Sequence, residues 1–72
     1  MTSKEMITNV LLEHPCLTSS EIVGFVYRTY GEHITAQSVA GAMRPIIARG
    51  QAGKSYNDKG KAVYWLVTEK RW

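Results

Sequence analysis

Apolar residues recur at helical spacing in three stretches of the chain. The first stretch covers residues 3–14, and its apolar face consists of Met6, Ile7, Val10 and Leu11. Thr2 or Ser3 supplies the N-cap of this predicted helix. Pro15 ends it, because a proline disfavours helical backbone in the residue before it.

A second helix is predicted over residues 19–30. Thr18 and Glu21 have the spacing of a capping box, in which a hydroxyl and a carboxylate each accept a hydrogen bond from the other residue's backbone N–H. Gly31 provides the stop. The apolar positions of this segment are Ile22, Val23, Val26, Tyr27 and Tyr30.

The third predicted helix covers residues 36–49, between the cap Thr35 and the terminating Gly50. Its apolar positions are Val39, Ala42, Met43, Ile46 and Ile47. Pro45 interrupts the pattern, since it has no N–H and crowds the carbonyl of Gly41 four residues earlier. Glycine relieves part of that crowding, so a bent but continuous helix is expected. The alternative is a helix that ends near Arg44, followed by a separate turn over residues 46–49.

Beyond Gly50 the pattern changes to that of a β-hairpin. Residues 52–56 and 61–68 form two candidate strands around the turn-forming residues 57–60. One face of the second strand must pack on the helices, because an isolated hairpin is marginally stable. We favour the face with Tyr64 and Leu66, which leaves Trp65 half exposed. The two candidate faces are Ala62, Tyr64, Leu66 and Thr68 on one side and Val63, Trp65 and Val67 on the other.

The order of three helices and a hairpin predicts one α+β domain over residues 1–72. Its charge is unevenly distributed along the chain. Residues 1–33 carry two cations and four carboxylates, a net −2, whereas residues 34–72 carry seven cations and two carboxylates, a net +5. A basic second half indicates a surface that could meet a polyanion.

Three segments resemble winged helix-turn-helix domains, and together they span nearly the whole chain. Residues 17–22 look like the start of the second helix, residues 35–50 resemble the recognition helix, and residues 61–66 resemble the returning strand of the wing. The resemblance implies a three-helix core with a two-stranded wing. A domain this small looks similar to the stand-alone transcription regulators of bacteria and their phages. Pro45 is unusual in a recognition helix, and only residues 16–18 are left for the strand between the first two helices.

Binding of double-stranded DNA is the function that this resemblance implies. The recognition helix would enter the major groove, where Gln37 could pair with adenine and Arg44 with guanine. The implied contacts from this helix are Thr35, Gln37, Ser38, Gly41 and Arg44. On the wing, which would touch the DNA backbone, they are Lys54, Ser55, Asn57, Lys59 and Lys61. Lys70 and Arg71 could extend this surface. The alternatives are ordinary helix surface for Gln37 and Ser38, and lysines that protect an edge strand from aggregation.

Signals for other chemistry are weak. Cys16 is the one cysteine, so no internal disulfide forms, and we expect it to be a small buried apolar residue. His14 and Cys16 have no second pair to complete a metal site, and no phosphate-binding loop or catalytic motif occurs. We expect no enzymatic activity, cofactor, metal or small-molecule substrate. Without an apolar stretch long enough to cross a bilayer, we expect a soluble cytoplasmic protein that does not associate with membranes.

Two other functions remain open from the sequence alone. The first is a winged-helix module that binds protein, since the fold does not fix the function. If Phe25 and Trp72 are exposed, they would mark a partner or homodimer surface. The second is single-stranded nucleic-acid binding, with Tyr56 and Trp65 as stacking platforms.

Overall fold

Six elements follow one another in the structure, a computed structural model that describes residues 2–14 and 16–67. They are α1 (Ser3–Glu13), β1 (Leu17–Thr18), α2 (Ser19–Tyr30), α3 (Ala36–Ala48), β2 (Ala52–Tyr56) and β3 (Ala62–Leu66). The predicted order of three helices and a hairpin is confirmed. Pro15, Lys70, Arg71 and Trp72, which entered the sequence predictions, lie outside the described residues, as does Thr68.

The first two helices begin with the same local device. At α1, the Thr2 hydroxyl accepts from Glu5 N–H at 3.2 Å, and the Glu5 carboxylate accepts from Thr2 N–H at 2.8 Å. Thr18 and Glu21 repeat this capping box at α2, with distances of 3.2 and 2.9 Å. Gly31 then ends α2 in the left-handed conformation, with φ at 71°, which glycine adopts without strain. Both predicted boundaries of α2 are therefore confirmed.

Helix α3 runs without interruption through Pro45. Thr35 caps its start, and Arg49, predicted as its last residue, is the C-cap. The alternative of a helix that ends near Arg44 is therefore wrong. Val39, Met43 and Ile46 bury the inner side of α3 against the other helices. Burial of this face compensates for the hydrogen bond that Pro45 removes.

The sheet has three strands: the predicted hairpin of β2 and β3, and the short strand β1, which lies within residues 16–18. β3 lies between β1 and β2, and both of its neighbours are antiparallel to it. The register pairs Leu17 with Tyr64 on one side and Lys54 with Tyr64 on the other. β1 is only two residues long, but it gives β3 a second partner and fixes the hairpin to the helical core.

One apolar core joins the helices and the sheet. Tyr64 is only 2% exposed, which confirms that its face of β3 packs inward, and Leu66 and Ala62 are partly buried on the same face. The buried apolar residues are Met6, Ile7, Val10, Leu11, Leu17, Ile22, Val26, Val39, Met43, Ile46, Ala52 and Tyr64. Cys16 was expected to be buried and is exposed instead. The neighbouring Leu17 takes the inward position, paired with Tyr64, and successive residues of extended chain point to opposite faces.

Candidate nucleic-acid interface

The outward side of α3 carries a stripe of exposed residues. Gln37, Gly41, Arg44 and Ala48 follow at intervals of four, three and four residues, which places them on one helical face. All four are exposed, and they lie opposite the buried face of α3. Three predicted site residues, namely Gln37, Gly41 and Arg44, are thus brought together on one accessible surface.

Thr35 and Ser38 form a unit at the start of α3. The Thr35 hydroxyl accepts from Ser38 N–H at 3.1 Å, and the two hydroxyl oxygens are also 3.1 Å apart. Both residues are exposed, so their predicted contact with DNA stays a prediction. Their observed contacts order the first turn of the helix that carries Gln37.

Gly41 and Pro45 are the two helix-disfavouring residues of α3. In a helix interior, glycine costs about 1 kcal/mol and proline about 3 kcal/mol relative to alanine. Both residues are exposed, and a Cβ on Gly41 would have no atom within 4 Å outside the local helix backbone. Packing within the described residues therefore does not require glycine at this position.

The turn of the wing is organised by Asn57. Its side-chain oxygen accepts from Lys59 N–H at 2.9 Å and from Lys61 N–H at 3.0 Å. Gly60 has a φ of 77°, a conformation that glycine adopts readily, and its N–H donates to the Asn57 carbonyl at 2.9 Å. Asn57 thus has a structural role in holding Lys59 and Lys61 at the tip, whereas its own contact with DNA remains a prediction.

Lys54 has a defined position on β2. Its Nζ lies 5.4 Å from the ring centroid of Tyr56 and 5.8 Å from that of Tyr64, within the range of a cation–π interaction. Lys54 and Tyr56 share the face of the hairpin that continues into the core, while Ser55 lies on the other face. Tyr56 is 64% exposed. The aromatic contacts restrict the lysine stem and leave its charge at the surface.

The exposed stripe of α3 and the wing lie on adjacent elements, because α3 packs against β2. Residues 36–61 contain five cations and a single carboxylate, Asp58. The cations are Arg44, Arg49, Lys54, Lys59 and Lys61, and all are exposed. Arg49 was not among the residues predicted for this site, although its place between α3 and the wing could have indicated it. The site therefore combines hydrogen-bonding groups on α3 with positive charge on both sides of the α3–β2 junction.

Of the two aromatic residues that would mark a partner surface if exposed, Phe25 lies within the described residues. Phe25 is half-buried, stacks on His14 with ring centroids 4.1 Å apart, and lies under the Arg28 guanidinium at 5.6 Å. Tyr27 is exposed but packs beside His33 at 4.4 Å. Phe25 is thus largely covered by its own chain.

Two further findings concern only residues 2–14 and 16–67. No helix in these ranges has the length and apolar character to cross a membrane. Likewise, within the described part of the chain, no three His, Cys, Asp or Glu side chains lie together in a group that could hold a metal ion.

Known structures share this architecture. The hsRosR chain of the hsRosR–S4 complex superimposes with a TM-score of 0.76, 24% identity and 93% coverage of this chain. The hsRosR–S1 complex gives the same three values. FurB from M. tuberculosis, a zinc uptake regulator, gives a TM-score of 0.71, 20% identity and 94% coverage. The fold is a winged helix.

The winged helix accounts for only part of each neighbour. This chain spans 58% and 60% of the two hsRosR chains and 53% of FurB. No protein-family model and no curated protein matches the sequence. At these identities the likeness establishes the winged-helix architecture alone.

Proposed function

We propose that this chain is a transcription regulator that binds double-stranded DNA, with α3 in the major groove and the wing on the sugar–phosphate backbone. One observation carries the proposal: the exposed stripe of Gln37, Gly41 and Arg44 lies on the outer face of α3, beside a basic wing. A winged helix presents its third helix in the manner of other helix-turn-helix domains, whose recognition helix reads base edges.

The roles of the side chains follow from their chemistry. Gln37 can donate to and accept from adenine, and Arg44 can donate two hydrogen bonds to guanine. Lys54, Lys59 and Lys61 neutralise phosphates, which gives affinity without sequence preference. The neighbour FurB is named as a zinc uptake regulator, which supports a regulatory role for this chain. The proposed activity is binding, without catalysis.

We also propose that two copies bind adjacent half-sites. One recognition helix reads only a few base pairs, and such domains gain affinity and specificity when a two-fold site holds two of them. The stoichiometry of a saturated complex tests this: two chains per duplex support it, and one chain per duplex contradicts it.

Fluorescence anisotropy with a labelled mixed-sequence duplex tests DNA binding itself. The titration is run at about 50 and 200 mM salt, and we expect affinity to fall steeply as salt rises, because phosphate contacts release counterions. Arg44→Ala should weaken binding. Lys4→Ala, which removes a cation that lies on α1, is the matched control and should bind as the wild type does.

A single strand of the same sequence serves as the competitor. Preference for the duplex supports the proposal. Preference for the single strand would favour binding through Tyr56 and Trp65. If the folded chain binds neither form at low salt, DNA binding is ruled out for this chain, and a protein-interaction module becomes the better account.

A further inference from the structure

The backbone carbonyl of Gly41 in α3 lacks the i+4 N–H donor that a helical carbonyl normally has. We propose that the carbonyl oxygen of Gly41 accepts a hydrogen bond from an exocyclic amino group in the major groove, either N6 of adenine or N4 of cytosine. Main-chain readout would then add to the side-chain readout by Gln37 and Arg44. The inference rests on the proposed DNA binding and specifies one contact within it.

The missing donor follows from the covalent structure of Pro45. In an α-helix, the carbonyl of residue i accepts from the N–H of residue i+4, and the residue four positions after Gly41 is Pro45, which has no N–H. The proline ring also crowds that carbonyl. Since α3 is continuous through Pro45, the carbonyl stays within a helical segment but lacks its helical partner.

The residues around this carbonyl lie on the exposed side of α3. Gly41, which carries it, and Pro45, about one turn later, are both exposed. Gly41 has no side chain to hold a ligand away from the backbone, and outside the local helix backbone no atom lies within 4 Å of the place where a Cβ would stand. Gln37 and Arg44 lie one turn before and almost one turn after Gly41 on the same stripe. A base edge read by those two side chains would therefore pass over the carbonyl.

The ligand class follows from hydrogen-bond complementarity. A carbonyl oxygen only accepts, and the donors that base pairs present in the major groove are adenine N6 and cytosine N4. Guanine and thymine present acceptors at the equivalent positions, so the contact distinguishes which strand carries the amino group.

A structural explanation for the pair of residues is lacking. Glycine does not supply the missing donor, and no side-chain atom of the Pro45 ring lies within 4 Å of the place where a Cβ at position 41 would stand. Alanine at both positions would suit the helix better. Such departures from local preference without a gain in packing are typical of functional positions.

Two variants separate the parts of this contact. Pro45→Ala restores the N–H that would occupy the Gly41 carbonyl. Gly41→Ala places a methyl group on the exposed side of α3, where it would keep a base edge from approaching the backbone closely. Gly24→Ala is the matched control, because Gly24 is an exposed helical glycine on α2 whose Cβ would also meet nothing within 4 Å. All three variants should unfold at the same temperature as the wild type or higher.

Affinity is measured on duplexes enriched by the wild type from a random pool of sequences. We expect Pro45→Ala and Gly41→Ala to bind the best duplex roughly three- to tenfold more weakly, the effect of one hydrogen bond, while Gly24→Ala binds as the wild type does. Pro45→Ala should also lose the wild-type preference at one base-pair position. At that position, replacing adenine with purine, or cytosine with pyrimidin-2-one, removes the exocyclic amino group. This replacement should weaken binding by the wild type and leave binding by Pro45→Ala unchanged.

The possible failures are distinguishable. If the wild type binds no duplex, the proposed function is wrong and this inference fails with it. If the wild type binds and both variants keep its affinity and its base preferences, the Gly41 contact alone is overturned.

Discussion

Trp65 covers Gly53 on the outer face of the hairpin. The two residues are paired across β2 and β3, and the indole lies where a side chain at position 53 would stand. An ideal Cβ on Gly53 would collide with Cε2, Cζ2 and Nε1 of the ring. The ring thus shields the backbone that glycine leaves exposed.

Gly53→Ala should therefore destabilise the domain, although alanine is otherwise no worse than glycine in a strand. We expect a loss of about 1 to 3 kcal/mol in the free energy of unfolding, since the indole must move to admit the methyl group. Urea unfolding measures the loss. In a Trp65→Ala background the same substitution should cost much less, and an equal cost in both backgrounds would contradict direct contact.

Removal of the hydroxyl at the start of α2 should also be costly. Thr18→Ala leaves Glu21 N–H without its acceptor, and we expect a loss of about 1 kcal/mol in the free energy of unfolding. Thr18→Ser retains the hydroxyl and serves as the control in the same denaturation series. If serine and alanine prove equally destabilising, the loss arises from the methyl group that threonine contributes and not from the cap.

The capping box of α1 predicts a pH dependence. The backbone N–H and then the hydroxyl of Thr2 hydrogen-bond to Glu5 and hold the pKa of its carboxyl below its ordinary value of 4.5. A lowered pKa in the folded state means that the stabilisation is complete above the unfolded pKa and is lost as pH falls through the folded pKa. Glu5→Gln keeps an acceptor but does not titrate.

The unfolding temperatures of the wild type and Glu5→Gln should therefore differ at neutral pH, with the wild type higher. The gap should close as the pH falls below 4.5. A gap that stays constant between neutral pH and about pH 3 would show that the charge of Glu5 contributes nothing.

A substitution on α3 should change the sequence specificity of DNA binding, whereas a substitution on the wing should change the affinity for all duplexes. Arg44→Ala should reduce discrimination at one base pair by about 1 to 3 kcal/mol. Lys59→Ala should weaken all duplexes similarly and lower the slope of log affinity against log salt by about 1. Titrations of a preferred and a scrambled duplex over a series of salt concentrations distinguish the two effects. The assignment fails if Lys59→Ala changes the order of preference among sequences.

The helices could be predicted because their signals are local. The Thr18–Glu21 capping box and Gly31 defined both ends of α2, and the apolar periodicity continued through Pro45 as α3 does. Local signals do not report long-range pairing, however. The sequence left residues 16–18 for a short strand, but it did not give the partners of Leu17 and Thr18, which are Tyr64 and Val63 of β3. The prediction for Cys16 was wrong for the same reason, since its exposure depends on which way Leu17 faces.

The candidate site was predictable in part. Helical periodicity is enough to place Gln37, Gly41 and Arg44 on one face of α3. The turn contacts of Asn57 and the aromatic contacts of Lys54 depend on side-chain geometry, which residue type alone does not fix. Likewise, the fit of Trp65 on Gly53 depends on the strand register, which the hydrophobic pattern leaves open.

Backbone amide chemical shifts of the labelled protein, followed during titration with a mixed-sequence duplex at low salt, test the central claim most directly. We predict that the largest changes fall in residues 36–44 of α3 and residues 54–61 of the wing, while Ser3–Glu13 of α1 changes little. Large changes on α1 with none on α3, or no changes at a duplex concentration equal to that of the protein, would contradict the account.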